Sequence, residues 1–485
     1  LALLLCATIG HFGAQAGIVF DVEMVRNTVD NLAEGNSAEA LELISTGLLG
    51  DLLLYALLPA ALLWTVAIRR RPPLHEAGSR LFVALVLLAV AIGLLGANYR
   101  YAAFAMRENA DLRNRMVPSY ALNSTWKYLR RQFAASDEPF RELGIDAHRV
   151  ARAGAAGSTP DGGTGVVGLM VVGETARADH FSLDGYTRAT NPQLAGRDVL
   201  SFRHVQSCGT STAYSVPCMF SFLGRDDYSP ELAASRSNVL DVLQRAGVRV
   251  LWLDNNSSCK GVCARVASRN LLAGATPDSP WFAHGSLYDE ALLDGLDARI
   301  EALRDDPSDD VLVVLHMLGS HGPGYHRRFP PRFARFRPYC EDDAPQSCSQ
   351  EEVVNAYDNS ILYTDHVLAR AIDLLRARSQ PAFLLYASDH GESLGEHGLY
   401  LHGLPYAIAP DAQTHVPMLA WLSPQLRERQ ALRHESLHDL TGNDYSHDNL
   451  VHTLLGLYAV QTGLYRAELD TFAGLRDRLS PGSQR

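Results

Sequence analysis

Ala382-Phe-Leu-Leu-Tyr-Ala-Ser-Asp-His-Gly391 is an apolar run that stops abruptly in polar residues. A continuous apolar run suits a strand buried on both faces, and alternation is what a half-solvated strand would show. The same grammar recurs three times. Val166 to Val172 stops at Gly173-Glu174, and Val248 to Leu253 stops at Asp254-Asn255-Asn256. Val311 to Leu315 stops at His316 and leads into Gly319-Ser320-His321-Gly322. Helical stretches such as Asn238 to Ala246 and Tyr357 to Arg378 separate the runs. Strands alternating with helices predict an α/β domain whose buried strands are covered by helices. Ligands of such sheets bind outside the carboxyl ends of the strands, and here those ends carry Glu, Asn, His and Asp. Neighbouring strand residues point to opposite faces. Asp389 and His390 can therefore serve one site only if the strand has ended, a turn that Gly391 permits.

A second stretch, Cys208-Gly-Thr-Ser-Thr-Ala-Tyr-Ser-Val-Pro-Cys218, packs hydroxyls between two cysteines. The apolar spacing from Ala213 through Met219, Phe220 and Phe222 suits a helix and puts Thr212 near its N-terminus. Free N–H groups and the positive dipole end favour an anion there. Gly209 permits a close backbone approach to a ligand. Thr212 is thus a candidate nucleophile for phosphoryl or sulfuryl transfer, and alternatively a helix cap pinned by a disulfide. Glu174, Asp389 and His390 with a deprotonated Thr212 form a four-ligand O/O/O/N set that suits Zn2+. A bound metal lowers the hydroxyl's pKa toward neutrality. Asn256, Lys260, His321 and His402 form a second group. They could hold the non-reacting part of a phosphodiester or protonate a leaving alcohol. Taken singly they read as a loop Asn, a surface Lys and capping or packing histidines.

The rest of the chain sets the context. Its 485 residues exceed one typical domain, and a net charge of −11 argues against nucleic-acid binding. Cys6 is alone in an apolar run, and the other six cysteines fall as the close pairs 208/218, 259/263 and 340/348. Local disulfides are the simplest pairing and need an oxidising compartment. Cys259-x3-Cys263 as a metal site lacks a second matching pair. Residues 1–100 read as a membrane domain that begins inside a helix and holds about three spans, the second at Leu48 to Ile68 and the third at Leu81 to Ala97. Arg69-Arg70-Arg71 lies between those two, and an acidic segment, Asp21 to Glu42, precedes them. The positive-inside rule places the Arg loop in the cytoplasm and everything after the third span outside. Residues 101–163 read as a linker. Within it, Ser119 to Phe133 is either a helix on the membrane surface or one packed on the soluble domain. Ala151 to Gly165 reads as a flexible join. Residues 164–485 read as the α/β domain that would carry any catalytic site.

Four long motifs in fixed order carry a resemblance. They are Gly173-Glu-Thr-Ala-Arg-Ala-Asp-His-Phe-Ser-Leu-Asp-Gly-Tyr186, the Cys208 stretch continued to Ser221, Asp254-Asn-Asn-Ser-Ser-Cys-Lys-Gly-Val-Cys263, and Ser388-Asp-His-Gly-Glu-Ser-Leu-Gly-Glu-His-Gly-Leu-Tyr-Leu-His-Gly403. Over nearly its whole length the chain resembles the phosphoethanolamine transferases of Gram-negative inner membranes, which include lipid A modifying and mobile colistin-resistance enzymes. The resemblance implies transmembrane helices followed by an alkaline-phosphatase/sulfatase-like α/β/α domain in the periplasm. It implies phosphatidylethanolamine as donor and lipid A of lipopolysaccharide as acceptor. Thr212 would be the nucleophile, with Glu174, Asp389 and His390 joining it around zinc. Asn256, Lys260, His321 and His402 match positions near the phosphoethanolamine group, and Asn27 and Glu39 match two membrane-side residues that face the site. The family usually carries more membrane helices than this chain holds. A monomer is expected. The rival readings are a sulfatase- or phosphatase-type hydrolase and a silent lipopolysaccharide-binding membrane protein. The sulfatase pattern Cys-x-Pro-x-Arg is absent around residues 208 to 212.

Overall fold

The computed structural model describes residues 52–65, 73–97, 139–150, 164–256 and 258–477. Two compact units divide the chain, Leu1–Glu138 and Pro139–Arg485. Cys6, Asn27, Glu39, the acidic segment Asp21 to Glu42, the Arg69 to Arg71 loop and Ser119 to Phe133 lie outside the described residues.

In the first unit a π turn at Leu53–Leu57 runs into a helix at Leu58–Thr65, and a longer helix, α1, spans Pro73–Ala97. Leu81, Phe82, Leu87 and Ile92 of α1 are each more than half exposed. A helix apolar on every side has no core-facing stripe. Among the described residues no helix is long and apolar enough to cross a membrane.

The second unit is built on a seven-stranded sheet. In chain order its strands are β1 (Val167–Gly173), β2 (Leu200–Phe202), β3 (Arg249–Asp254), β4 (Ala267–Asn270), β5 (Val311–His316), β6 (Ala382–Ser388) and β7 (Met418–Leu422). Across the sheet the order is β2-β7-β6-β1-β5-β3-β4. The five strands from β6 to β4 are parallel, and at one edge β7 pairs antiparallel with both β6 and β2. Register aligns the carboxyl ends: Ser388 pairs with Gly173, Val172 with His316, and Asp254 with His316 and Asn270. Four strand ends thus lie along one edge, and each sheds its polar residues there.

Both faces are covered. Met170 and Val172 of β1 face one core, shared with α3 (Val239–Arg245) and α5 (Asp448–Leu457). Val167, Leu169 and Val171 face the other, shared with α4 (Gln350–Arg376). The outcome is an α/β/α sandwich, and the continuous apolar runs are explained by burial on two faces. The helix α4 begins two turns before Tyr357, because Ser349 and Glu352 form a reciprocal capping box. Residues 139–150, assigned to the linker from sequence, are folded onto this unit. His148 pairs with Gln461, and Leu143 donates its N–H to Ser237 at 3.1 Å. The three expected disulfides, 208–218, 259–263 and 340–348, are all present.

Candidate active site

Glu174 is the first residue beyond β1 and is 1% exposed. Asn256, two residues beyond β3, donates from Nδ2 to Glu174 Oε2 at 2.8 Å and to the Met317 carbonyl at 3.0 Å. One amide therefore ties the ends of β1, β3 and β5 together. Asp389 follows β6 directly. Its Oδ1 accepts the N–H groups of Thr175 (3.2 Å) and His390 (2.7 Å), whereas its buried Oδ2 accepts no hydrogen bond. His390 donates from Nδ1 to the Gly391 carbonyl at 2.9 Å. That bond leaves Nε2 facing Glu174 Oε1 at 3.3 Å and Asp389 Oδ2 at 3.4 Å. Gly391 is needed for space: a Cβ there would lie 2.1 Å from the Ala412 carbonyl oxygen.

Thr212 opens α2 (Thr212–Met219), with extended Ser211 as its N-cap. Its hydroxyl donates to Glu174, lying 3.0 Å from Oε1 and 2.9 Å from Oε2, and stands 3.3 Å from His390 Nε2. Of the neighbouring hydroxyls, Thr210 donates to the Leu404 carbonyl at 2.6 Å, and Ser211 occupies the N-cap position without a side-chain capping bond. At Gly209 a Cβ would sit 2.6 Å from the Tyr214 ring, so the glycine makes room for that side chain.

The electrostatics follow from two carboxylates and an imidazole enclosed together. Burial alone would raise Glu174, but the His390 hydrogen bond and charge, with His321 and His402, hold it far below the usual range. Burial and the Glu174 charge push Asp389 up to about 8. Burial works against a charged His390, yet Asp389 and Glu174 raise it to about 10. The ligand atoms of Glu174, Asp389 and His390 all lie within 4.8 Å of one another. With the unbonded Asp389 Oδ2 and the adjoining hydroxyl, this donor set fits a divalent cation.

His321 and His402 also reach the cluster, with Glu174 common to both groups of metal-ligating atoms. The His402 ring lies 4.2 Å from that of His390 and 5.8 Å from that of His321. His402 Nδ1 stands 3.3 Å from Glu392 Oε2. Burial pushes His321 below its ordinary pKa. Lys260 is half-buried in the turn closed by Cys259–Cys263, with φ +49°.

Three supporting residues escaped the sequence reading. His447 is buried and joins the two halves of the site. Its Nδ1 accepts the Cys208 N–H at 3.0 Å, and its Nε2 donates to the Ser388 carbonyl at 2.9 Å. Burial holds it neutral, down at about 4. Ser388 Oγ accepts from the Ala176 N–H at 2.8 Å and donates to the His390 carbonyl at 3.0 Å. Asp289 accepts the N–H groups of Leu318 (2.8 Å) and Gly319 (2.9 Å), setting the loop that carries His321. No local pattern marks these residues, because each works through partners distant in sequence.

An α/β/α sandwich with a hydroxyl set against metal-ligating groups at the strand ends defines the alkaline-phosphatase/sulfatase class, and a family model described as Sulfatase matches residues 168–460. A second model, described as Phosphoethanolamine transferase EptA/EptB, matches residues 1–133. The chain is 41% identical to Phosphoethanolamine transferase EptA of Salmonella typhimurium, covering 99% of this chain and 85% of that one. It is 36% identical to Phosphatidylethanolamine transferase Mcr-1 of Escherichia coli, over 95% of this chain and 83% of the other. Among solved structures it resembles the integral membrane protein lipooligosaccharide phosphoethanolamine transferase A of Neisseria meningitidis. That match has a TM-score of 0.69 at 35% identity, over 98% of this chain and 86% of that one. The chain belongs to the phosphoethanolamine transferase family.

Proposed function

We propose that this protein moves phosphoethanolamine from phosphatidylethanolamine to lipid A of lipopolysaccharide, through a phosphoethanolamine ester on Thr212. The observation that carries the reading is the Thr212 hydroxyl, bonded to both oxygens of Glu174 and 3.3 Å from His390 Nε2, at the mouth of a buried ligand set. Glu174, Asp389, His390 and Thr212 would hold zinc. Bound there, zinc would lower the pKa of the hydroxyl and offset the charge of the phosphate. Thr212 Oγ1 attacks the donor phosphorus, and the bond from phosphorus to the diacylglycerol oxygen breaks. His402 is set to protonate that oxygen. In the second half the acceptor phosphate attacks the same phosphorus and Thr212 leaves. His321, kept neutral by burial, is set to take the acceptor's proton. Asn256 and Lys260 would hold the phosphoethanolamine group.

Two displacements suit two lipids whose tails share a membrane, since the donor reacts and departs before the acceptor arrives. An inner-membrane protein with its catalytic unit in the periplasm agrees with three disulfides, which need an oxidising compartment. Each added ammonium reduces the negative charge of lipid A and weakens its attraction for cationic polymyxins such as colistin. Mass spectrometry of lipid A from cells expressing the protein tests the reading. A phosphoethanolamine-bearing species is expected, absent with Thr212→Ala; unmodified lipid A with active, membrane-inserted protein would refute it.

A further inference from the structure

The segment after His321 carries four arginines before residue 336, and one is unlike its neighbours. Arg327 pairs with Asp343, and Arg332 pairs with Glu290. Arg328 is half-buried and donates its Nε–H to the backbone carbonyl of His321 at 2.7 Å. Among the described residues its two η nitrogens have no partner and its charge has no carboxylate counter-ion. Asp289, an acid whose charge acts on it, is already committed to Asn255 and to the N–H groups of Leu318 and Gly319. Burial pushes the guanidinium below its ordinary range, with Asp289 and Glu174 working in the opposite sense. A cation taken out of water without a counter-ion is costly, and folding retains one here beside the site. Its tether to His321 places it there: His321 and Glu174 offer ligand atoms within 4.8 Å of each other, and Glu174 holds Thr212.

We propose that Arg328 is an anion subsite whose free guanidinium edge binds a phosphate oxyanion of a lipid substrate. A planar fork with two unused NH2 groups matches a phosphate bidentately. The reaction presents two such groups, the diester of the donor and the phosphate of the acceptor, and Arg328 binds one of them. The inference rests on the transferase reading above. A structural brace acting only through Nε is the competing role.

The test uses the zinc-loaded, detergent-solubilised protein in two half-reactions: adduct formation from phosphatidylethanolamine alone, then discharge by lipid A. The wild-type protein must perform both, which examines the transferase reading separately. Arg328→Gln removes the charge, and Arg328→Lys keeps it while losing the Nε bond. The expected result is a loss of about tenfold or more in one half-reaction for Arg328→Gln, the scale of a charge-assisted hydrogen bond. Arg328→Lys should stay within a few fold of wild type, and zinc content and thermal midpoint should be unchanged in both. Loss in the first half assigns the donor, and loss in the second assigns the acceptor. Equal loss in both variants, or none in either, overturns the proposal. Should the variants fail to fold, phenylglyoxal labelling of wild-type Arg328 decides: inorganic phosphate must protect it, and unprotected labelling overturns the proposal.

Discussion

Asp389 is an unbalanced carboxylate: one oxygen accepts two backbone N–H groups, and the other, equally buried, accepts none. It competes with Glu174 for the single imidazole of His390, so the metal-free cluster stores protons. Asp389 is held up to about 8 and His390 up to about 10. At neutral pH both carry protons that a metal must displace. The sign is therefore fixed. Falling pH adds competing protons, and zinc affinity should drop by about tenfold per pH unit for each proton displaced. Chelator competition at pH 6 and pH 8 checks this, and equal affinity at both would contradict it. Replacing Glu174, Asp389 or His390 with Ala should each reduce zinc content and turnover; full zinc with full turnover in all three would mean the ligand set is misassigned. These residues were legible in the sequence because each stands where an apolar run stops. His321 and His402 were not legible alone, since a histidine in a loop looks the same whether it caps a helix or faces a substrate.

Among the elements, the strap made by His447 governs the spacing between the nucleophile loop and the end of β6. It sits at the start of α5, in Ser446-His447-Asp448, and local sequence gives it no more than a helix-start role. Its meaning comes from Cys208 and Ser388, which only the folded sheet brings within reach. His447→Phe keeps the ring and loses both bonds. About 1–3 kcal/mol of stability should go, the cost of unmet buried partners. Transfer should slow while zinc stoichiometry is retained; a variant with wild-type turnover would mean the strap is dispensable. The parallel strands were readable from burial on both faces, whereas the short edge strands β2 and β4 were not. They hold only three and four residues, and every residue of β4 is exposed. The early turns of α4 were hidden for a similar reason, because Gln350, Glu351 and Glu352 are polar and a reciprocal cap starts the helix there. Ser349→Ala should cost about 1 kcal/mol, visible as a lowered thermal midpoint without loss of zinc.

For the whole molecule, charge asymmetry and disulfides point the same way. Arg69 to Arg71 against the acidic Asp21 to Glu42 predicts a cytoplasmic and a periplasmic loop respectively. A single cysteine introduced at Ser37 should react with an impermeant thiol reagent in intact spheroplasts, and one at Ser79 should not; the reverse pattern would invert the topology. The proposed mechanism turns on a covalent step on the Thr212 hydroxyl, which opens α2 and faces the buried donor set. The direct measurement is intact mass and peptide sequencing of the zinc-loaded protein after exposure to phosphatidylethanolamine without acceptor. A phosphoethanolamine adduct should appear on Thr212, not on Thr210 or Ser211, and disappear when lipid A is added. Thr212→Ala should form no adduct and transfer nothing, and undiminished transfer by that variant would contradict the mechanism.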